Sequence, residues 1–404
     1  MHAMMQSRPS AAANGASMST AGRPRVLWVA VEPTPYNLPL FQRIRQSGKI
    51  RIEYMFCTCE SSLPCTLAPY AELIASESNG PSLCIGGLYF NPTILAALCR
   101  RRWDAVVVAG YAHWTMQAAI LVCLARRIPF LVHSDTHLLK PRNRWKAVLK
   151  RWLLFPVLRR CAAAMGLGSL QRDYFRSMGI PPFRIFTVPL TPHLERFALT
   201  PAQRAETRAD LRRTQGIPEH AVVGLFVGRL VSVKALPVLL RSLSLLPPHR
   251  RPHLMIAGDG PERAALERTV AEQSLPVRFL GFCANEDLPD LMAAADFLVL
   301  PSLRDAWGVV VAEAMAAGLP VVLSDQVGAA YDLLEPGRNG FLVPAGSTDA
   351  LRDALGHCVE MGAELADMGQ RSRARIAGWN CETAAQEFYR AVAVALQGEG
   401  GRVQ

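Results

Sequence analysis

Residues 301–322 read PSLRDAWGVVVAEAMAAGLPVV, and the fold follows from this stretch. A buried apolar strand ends at Pro301. A loop then presents Asp305, and Gly308 lets backbone come close to a ligand. A helix starts there, and its free N–H groups and dipole suit a phosphate. Glu313 lies inside that helix, with seven residues between it and Asp305. Carboxylates bind neutral polyols well, because each oxygen accepts from sugar hydroxyls. Either acid alone reads as a helix cap or a surface charge. Strand, loop and helix together point to a ligand site.

The same alternation extends outward. Strands at Val222–Val227, His253–Ala257, Val277–Leu280, Phe297–Leu300 and Pro320–Leu323 alternate with helices at about Ala235–Leu246, Glu262–Gln273 and Val309–Ala317. An earlier series has strands at Arg25–Val31, Ile50–Cys57, Ala105–Ala109 and Pro129–His133, with a helix at Leu38–Gln46. Such patterns mark βαβ units around parallel sheets. The chain therefore reads as α/β, with two doubly wound Rossmann-like domains facing across a cleft. The expected organisation is a tail at 1–23, a first domain at 24–195, and an Arg-rich connector at 196–219. A second domain at 220–375 follows, then a helix and tail at 376–404 returning toward the first domain. Ligands belong at the carboxyl ends of the strands, in the cleft.

Two more clusters follow strands of the second domain. In Gly228–Lys234, Arg229 and Lys234 suit a diphosphate as fork and point charge, although a basic pair in a loop is commonly just solvated. The turn Gly258-Asp259-Gly260 lacks the spacing of a dinucleotide fingerprint or a P-loop. In order, the chain carries GRL at 228–230 with Lys234, GDGPER at 258–263 and FLGF at 279–282. LPDLMAAADFLVLPS at 288–302, the Asp305–Glu313 segment and GRNGFLVP at 337–344 complete the series. This succession resembles glycosyltransferase family four over about residues 222–345. The resemblance implies the GT-B fold and retaining, metal-independent transfer from a nucleotide sugar, with no cofactor; the domain at 24–195 would then bind the acceptor and the domain at 220–375 the nucleotide sugar. It implies that Arg229 and Lys234 hold the donor diphosphate, that Glu313 binds the ribose, and that Asp305 faces the donor sugar. The backbone of Ala306, Trp307, Gly308 and Val309 then lies against sugar and phosphate, and Phe282 and Cys283 near the base. Gly228, Gly258, Asp259 and Gly260 complete the donor side. Asp305 stands where the family more often has Glu, and the loop Glu32–Asn37 lacks the paired glycines of many members.

In the first domain, His113 follows a strand and matches a histidine near the reaction centre in relatives; a histidine bound within its own turn is the competing reading. Tyr36, Asn37, Asp135 and His137 are acceptor-side candidates, and His133 stands beside the last two. His133 and His137 are four apart, but no third metal ligand is near in sequence, so no metal is expected. Retention without an evident nucleophile favours same-face attack, with catalysis by positioning and by stabilising the departing diphosphate.

Charge is uneven. Residues 1–190 carry 23 Lys and Arg against 8 acids, and residues 191–404 carry 21 against 25. Between Lys140 and Arg160 there are eight basic residues and no acidic one. Trp145, Val148, Leu149, Trp152 and Leu153 form an apolar stripe there. This reads as a basic amphipathic helix able to lie on an anionic membrane, or as a core-packed helix with a solvated rim. The 21 uncharged residues between Asp104 and Arg126 break into strand, loop and helix, so no membrane span is expected. The ten cysteines show neither zinc spacing nor a disulfide framework, which suits a reducing cytoplasm. The first 23 residues lack the apolar core of a signal peptide. The expected partners are a nucleotide sugar and a cell-envelope glycan, glycolipid or lipid-linked acceptor. Two alternatives stay open at this point: a GT-B sugar-nucleotide epimerase or hydrolase, and a non-catalytic basic protein binding membrane or nucleic acid. No RNA-binding aromatic motif is present, so nucleic acid is not expected.

Overall fold

The computed structural model describes residues 22–58, 70, 74, 80–139, 152 and 154–398. The N-terminal tail, most of the basic segment 140–160 and the last six residues lie outside them.

Two six-stranded, wholly parallel sheets organise the chain. The first orders β2 (Arg51–Phe56), β1 (Arg25–Ala30), β5 (Ala105–Ala109), β6 (Phe130–Ser134), β7 (Ala163–Gly166) and β8 (Ile185–Thr187). The second orders β11 (Val277–Gly281), β10 (His253–Ala257), β9 (Val223–Val227), β12 (Phe297–Leu300), β13 (Val321–Ser324) and β14 (Gly340–Val343). A hairpin of β3 (Leu83–Ile85) and β4 (Leu88–Phe90) stands apart from both. Central strands such as β5 and β13 are covered on both faces, which is why they read as unbroken runs, Ala-Val-Val-Val and Val-Val-Leu-Ser. Strand order reverses between β1 and β5 in one sheet and between β9 and β12 in the other. Those switch points are where an open parallel sheet offers a crevice to ligands.

The uncharged stretch after Asp104 is β5, a short loop and the helix Trp114–Arg126, as its sequence suggests. Among the described residues no helix is long and apolar enough to cross a membrane. The expected connector at 196–219 contains an ordered helix. The helix Pro201–Thr214 is docked on the second domain: Arg208 and Arg212 both pair with Asp296 at 2.7 Å. Arg212 also donates to the carbonyls of Ala294, Glu219 and Ala221 and is only 2% exposed. A guanidinium with five donors can be buried when carbonyls and a carboxylate meet it, so an Arg-rich pattern here is a dock. The crossing proper is the short stretch between β8 and Pro201.

The chain crosses back near its end. Helix Cys381–Gln397, capped by Asn380 accepting from the Thr383 N–H, lies on the first sheet. Ala384, Phe388, Ala391 and Val392 enter a core with Trp28, Val107 and Leu131, and the Phe388 and Trp28 rings are 5.2 Å apart. Arg43 Nε donates to Glu382 at 2.7 Å, and Tyr389 donates to Ser47 at 2.6 Å. Phe388→Ala removes a fully buried ring and should lower stability by about 3–5 kcal/mol. Urea denaturation of wild type and variant measures this directly.

Candidate active site

At the second switch point, β9 and β12 pair only through Gly224–Phe297 and Leu225–Leu298. Loops leave both strands beyond this pairing. The β9 loop is braced by the turn after β10: Gly228 N–H donates to Ala257, Leu230 N–H to Asp259, and Glu262 N–H to Leu230. Gly258 has φ +143°, and a Cβ there would overlap the Gly228 carbonyl. Asp259 accepts from its neighbour Gly260 N–H at 2.7 Å and pairs with Arg263 at 3.0 Å. Gly258, Asp259 and Gly260 therefore build the loop that carries Arg229. Arg229 itself is exposed, with no side-chain partner among the described residues.

Lys234 closes the same loop and does not stand apart from Asp305. Its Nζ lies 2.6 Å from Asp305 Oδ2, with both side chains mostly buried. Asp305 is held at the backbone as well, its N–H donating to Gln326 and its carbonyl accepting from Gly328. Gly308 follows at φ +82°, where an L side chain is strained and a Cβ would stand 3.0 Å from Val327. It opens the helix Val309–Ala316. Trp307 turns inward, its ring 5.2 Å from Trp379, so of this residue only the backbone is available to a ligand. Ala306 is half-buried, and its carbonyl accepts from Gln171 of the first domain at 3.3 Å. Phe282 follows β11 with its ring 56% exposed. Cys283 directs its thiol to the Gly281 carbonyl.

Glu313 is the most constrained group. Its side chain is 1% exposed, Oε1 has no hydrogen-bond partner, and the nearest cation is Arg196 Nη2 at 3.7 Å. Burial raises its pKa to about 7 against the pull of Arg196. Arg196 comes from the crossing stretch, a residue that sequence reasoning missed. One arginine among the many of that region carries no periodic signal.

The first domain supplies histidines. His113 caps the helix Trp114–Arg126, and its Nδ1 accepts from the Tyr89 N–H at 3.2 Å. That bond places the imidazole proton on Nε2. Partial burial lowers its pKa, opposed by Glu32, so it is neutral at pH 7. Burial likewise lowers His137, opposed by Asp135; Arg304 lowers it further and Asp305 opposes. The structure thus brings His137 and Asp305 into one electrostatic neighbourhood. His133 is otherwise employed: its Nε2 meets the Val188 carbonyl at 3.0 Å and its ring packs on Trp28. Asp135 is exposed. Asn37 spends its side-chain carbonyl on the Thr34 N–H, and Tyr36 its main-chain carbonyl on Thr191. Among the described residues no group of three or more His, Cys, Asp or Glu is placed to hold a metal.

Sequence reasoning also missed the contact that joins the domains beside this site. Asp332 accepts from Ser169 N–H at 2.9 Å and Ser169 Oγ at 3.1 Å, at the N-terminus of helix Ser169–Ser177. Gln171 bridges the Asp135 and Ala306 carbonyls. No residue spacing announces a cap supplied from 163 positions away.

Comparison with known proteins agrees with this architecture. Residues 207–375 match the model of glycosyl transferases group 1, and residues 71–191 match the glycosyl transferase 4-like domain. The chain is 28% identical to an alpha-D-kanosaminyltransferase of Streptomyces kanamyceticus over 82% of its own length and 84% of that protein. It is 34% identical to a D-inositol 3-phosphate glycosyltransferase of Saccharomonospora viridis, but spans only 52% of that relative. The Anabaena protein HepE, solved with UDP and glucose, superposes with a TM-score of 0.71 at 20% identity, covering 92% of this chain and all of that one. The protein belongs to the glycosyltransferases of the GT-B fold, with a group 1 domain following a family-four-like one.

A buried carboxyl that titrates near 7 has a stability signature. Its folded pKa lies above the ordinary carboxylate value, so the folded state holds a proton that the unfolded chain has lost. In the absence of ligand, stability should fall as pH rises from about 4.5 to about 7 and level off above. Glu313→Gln should remove this slope and melt higher than wild type at pH 8. Thermal melts across the pH range test both.

Proposed function

We propose that this glycosyltransferase moves a sugar, with retention and without a metal ion, from a UDP- or GDP-sugar to a cell-envelope glycan, glycolipid or lipid-linked acceptor. The observation that carries the reading is the Lys234–Asp305 pair, set at the start of a helix that carries a buried, unsatisfied Glu313. The HepE structures hold UDP, UDP-glucose, or UDP with glucose, which supports a nucleotide-sugar donor for a chain of this fold.

In this reading the donor diphosphate lies against Arg229, Lys234 and the N-terminus of helix Val309–Ala316. Two cations and a helix dipole stabilise the charge that develops on the leaving group. Lys234 also holds Asp305 beside the sugar. Glu313 accepts from the ribose, an exchange that repays the cost of its burial. The acceptor hydroxyl attacks the anomeric carbon on the face that the diphosphate leaves. The new C–O bond forms as the old one breaks, and the hydroxyl proton passes to a phosphate oxygen. His113, neutral with its proton on Nε2, donates a hydrogen bond to the sugar from the first domain.

The basic segment 140–160 supports peripheral attachment to the cytoplasmic face of an anionic membrane. Its described tryptophan, Trp152, is 80% exposed.

Calorimetry against UDP, GDP and ADP tests the donor class. One of the uridine or guanosine diphosphates should bind at least ten times more tightly than ADP; equal or absent binding of all three removes the reading. Lys234→Ala should lower turnover by more than 100-fold, the scale of losing one electrostatic stabiliser, while the protein stays folded by circular dichroism. Reversing Lys146 and Lys150 to Glu should abolish sedimentation with phosphatidylglycerol vesicles, and unchanged sedimentation would remove the membrane assignment.

A further inference from the structure

Glu313 and Arg196 form an incomplete pair. Oε1 and Nη2 are 3.7 Å apart, within reach of Coulomb attraction but too far for a hydrogen bond. Each keeps a buried polar atom unused: Glu313 Oε1 has no partner, and neither has Arg196 Nε. Buried polar atoms are ordinarily satisfied, and one left open costs free energy comparable to a lost hydrogen bond. Two of them on facing, oppositely charged groups define a place for something that both donates and accepts.

The Arg196 side chain is 30% exposed while Glu313 is 1% exposed, so the guanidinium is the more open member of the pair. Phe197, fully buried in the second core, anchors the stretch, and the Arg196 guanidinium lies 4.8 Å from its ring centroid. A hydroxyl admitted between them as the two side chains part would donate to the carboxylate and accept from the guanidinium. A carboxylate or a free cation fits one side of the pair only; a hydroxyl fits both.

We infer that Arg196 is a specificity-determining residue that reads a ribose hydroxyl of the donor nucleotide together with Glu313. The inference rests on the nucleotide-sugar reading above and adds to it a contact from the chain crossing between domains. Because Arg196 is carried by that crossing, the ribose is held by the segment that links the two sheets as well as by the donor helix.

The test uses the full-length protein, wild type and the variants Arg196→Met, Arg196→Lys and Glu313→Gln. Each is titrated calorimetrically with UDP, GDP and their 2′-deoxy and 3′-deoxy forms. Wild type should bind the ribonucleotide at least about tenfold more tightly than one deoxy form, the scale of a hydrogen bond to a charged group. Arg196→Met should erase that discrimination while binding the same deoxy form within about twofold of wild type. Arg196→Lys should restore part of it. In steady state the loss should appear in donor KM with kcat little changed. A merely structural arginine predicts another result: Arg196→Met weakens ribo and deoxy forms alike, or leaves discrimination intact, and either outcome overturns the inference. If Glu313→Gln loses discrimination and Arg196→Met does not, only the role of Arg196 falls. If wild type binds neither UDP nor GDP, the donor reading falls with it.

Discussion

Two crossings of one chain hold the molecule in its working shape. Open parallel sheets expose ligand crevices at the carboxyl ends of their strands, and a bisubstrate site needs two such crevices turned toward each other. The short stretch after β8 carries the chain outward. The helix Cys381–Gln397 brings it back and seals Phe388 against Trp28. Neither domain is finished without the other's segment: the first core borrows this helix, and the second core takes in Phe197 from the crossing stretch. Interdomain contacts such as Asp332 on Ser169 then set the distance across the cleft.

Within that frame the site is built from deliberate dissatisfaction. Arg212, equally buried, meets four acceptors and is a structural rivet. Glu313 meets none at Oε1 and is held near the point of protonation. Two ionisable groups of similar burial are thus distinguished by whether the fold completes their hydrogen bonds. Pre-organised polar groups that wait for a ligand cost stability in the empty protein and return it on binding.

Much of this was legible beforehand because it is local. Val321–Ser324 and Ala105–Ala109 announce themselves as doubly covered strands, and Pro301–Val322 announces a strand, a ligand loop and a helix in one span. What stayed hidden depends on pairs distant in sequence. The helix Pro201–Thr214 reads as an Arg-rich connector, and nothing in it shows that Asp296 and three carbonyls meet Arg212. Gly258 reads as one glycine of a strand-to-helix turn, and its closeness to Gly228 is not visible in that turn. His133 and His137 look equivalent on paper, yet β6 sets the ring of one on Trp28, while the other lies beyond the strand and accepts from the Leu139 N–H. Arg196 had no pattern to betray it, since a single cation in a short crossing has no period.

The inward turn of Trp307 has a consequence beyond packing. Its indole and that of Trp379 lie 5.2 Å apart with their planes 36° from parallel, near enough for their electronic transitions to couple. One partner sits in the loop before helix Val309–Ala316 and the other at the root of the returning helix. The protein therefore carries an optical gauge at the seam between chemistry and architecture, written into its near-ultraviolet dichroism without any added dye.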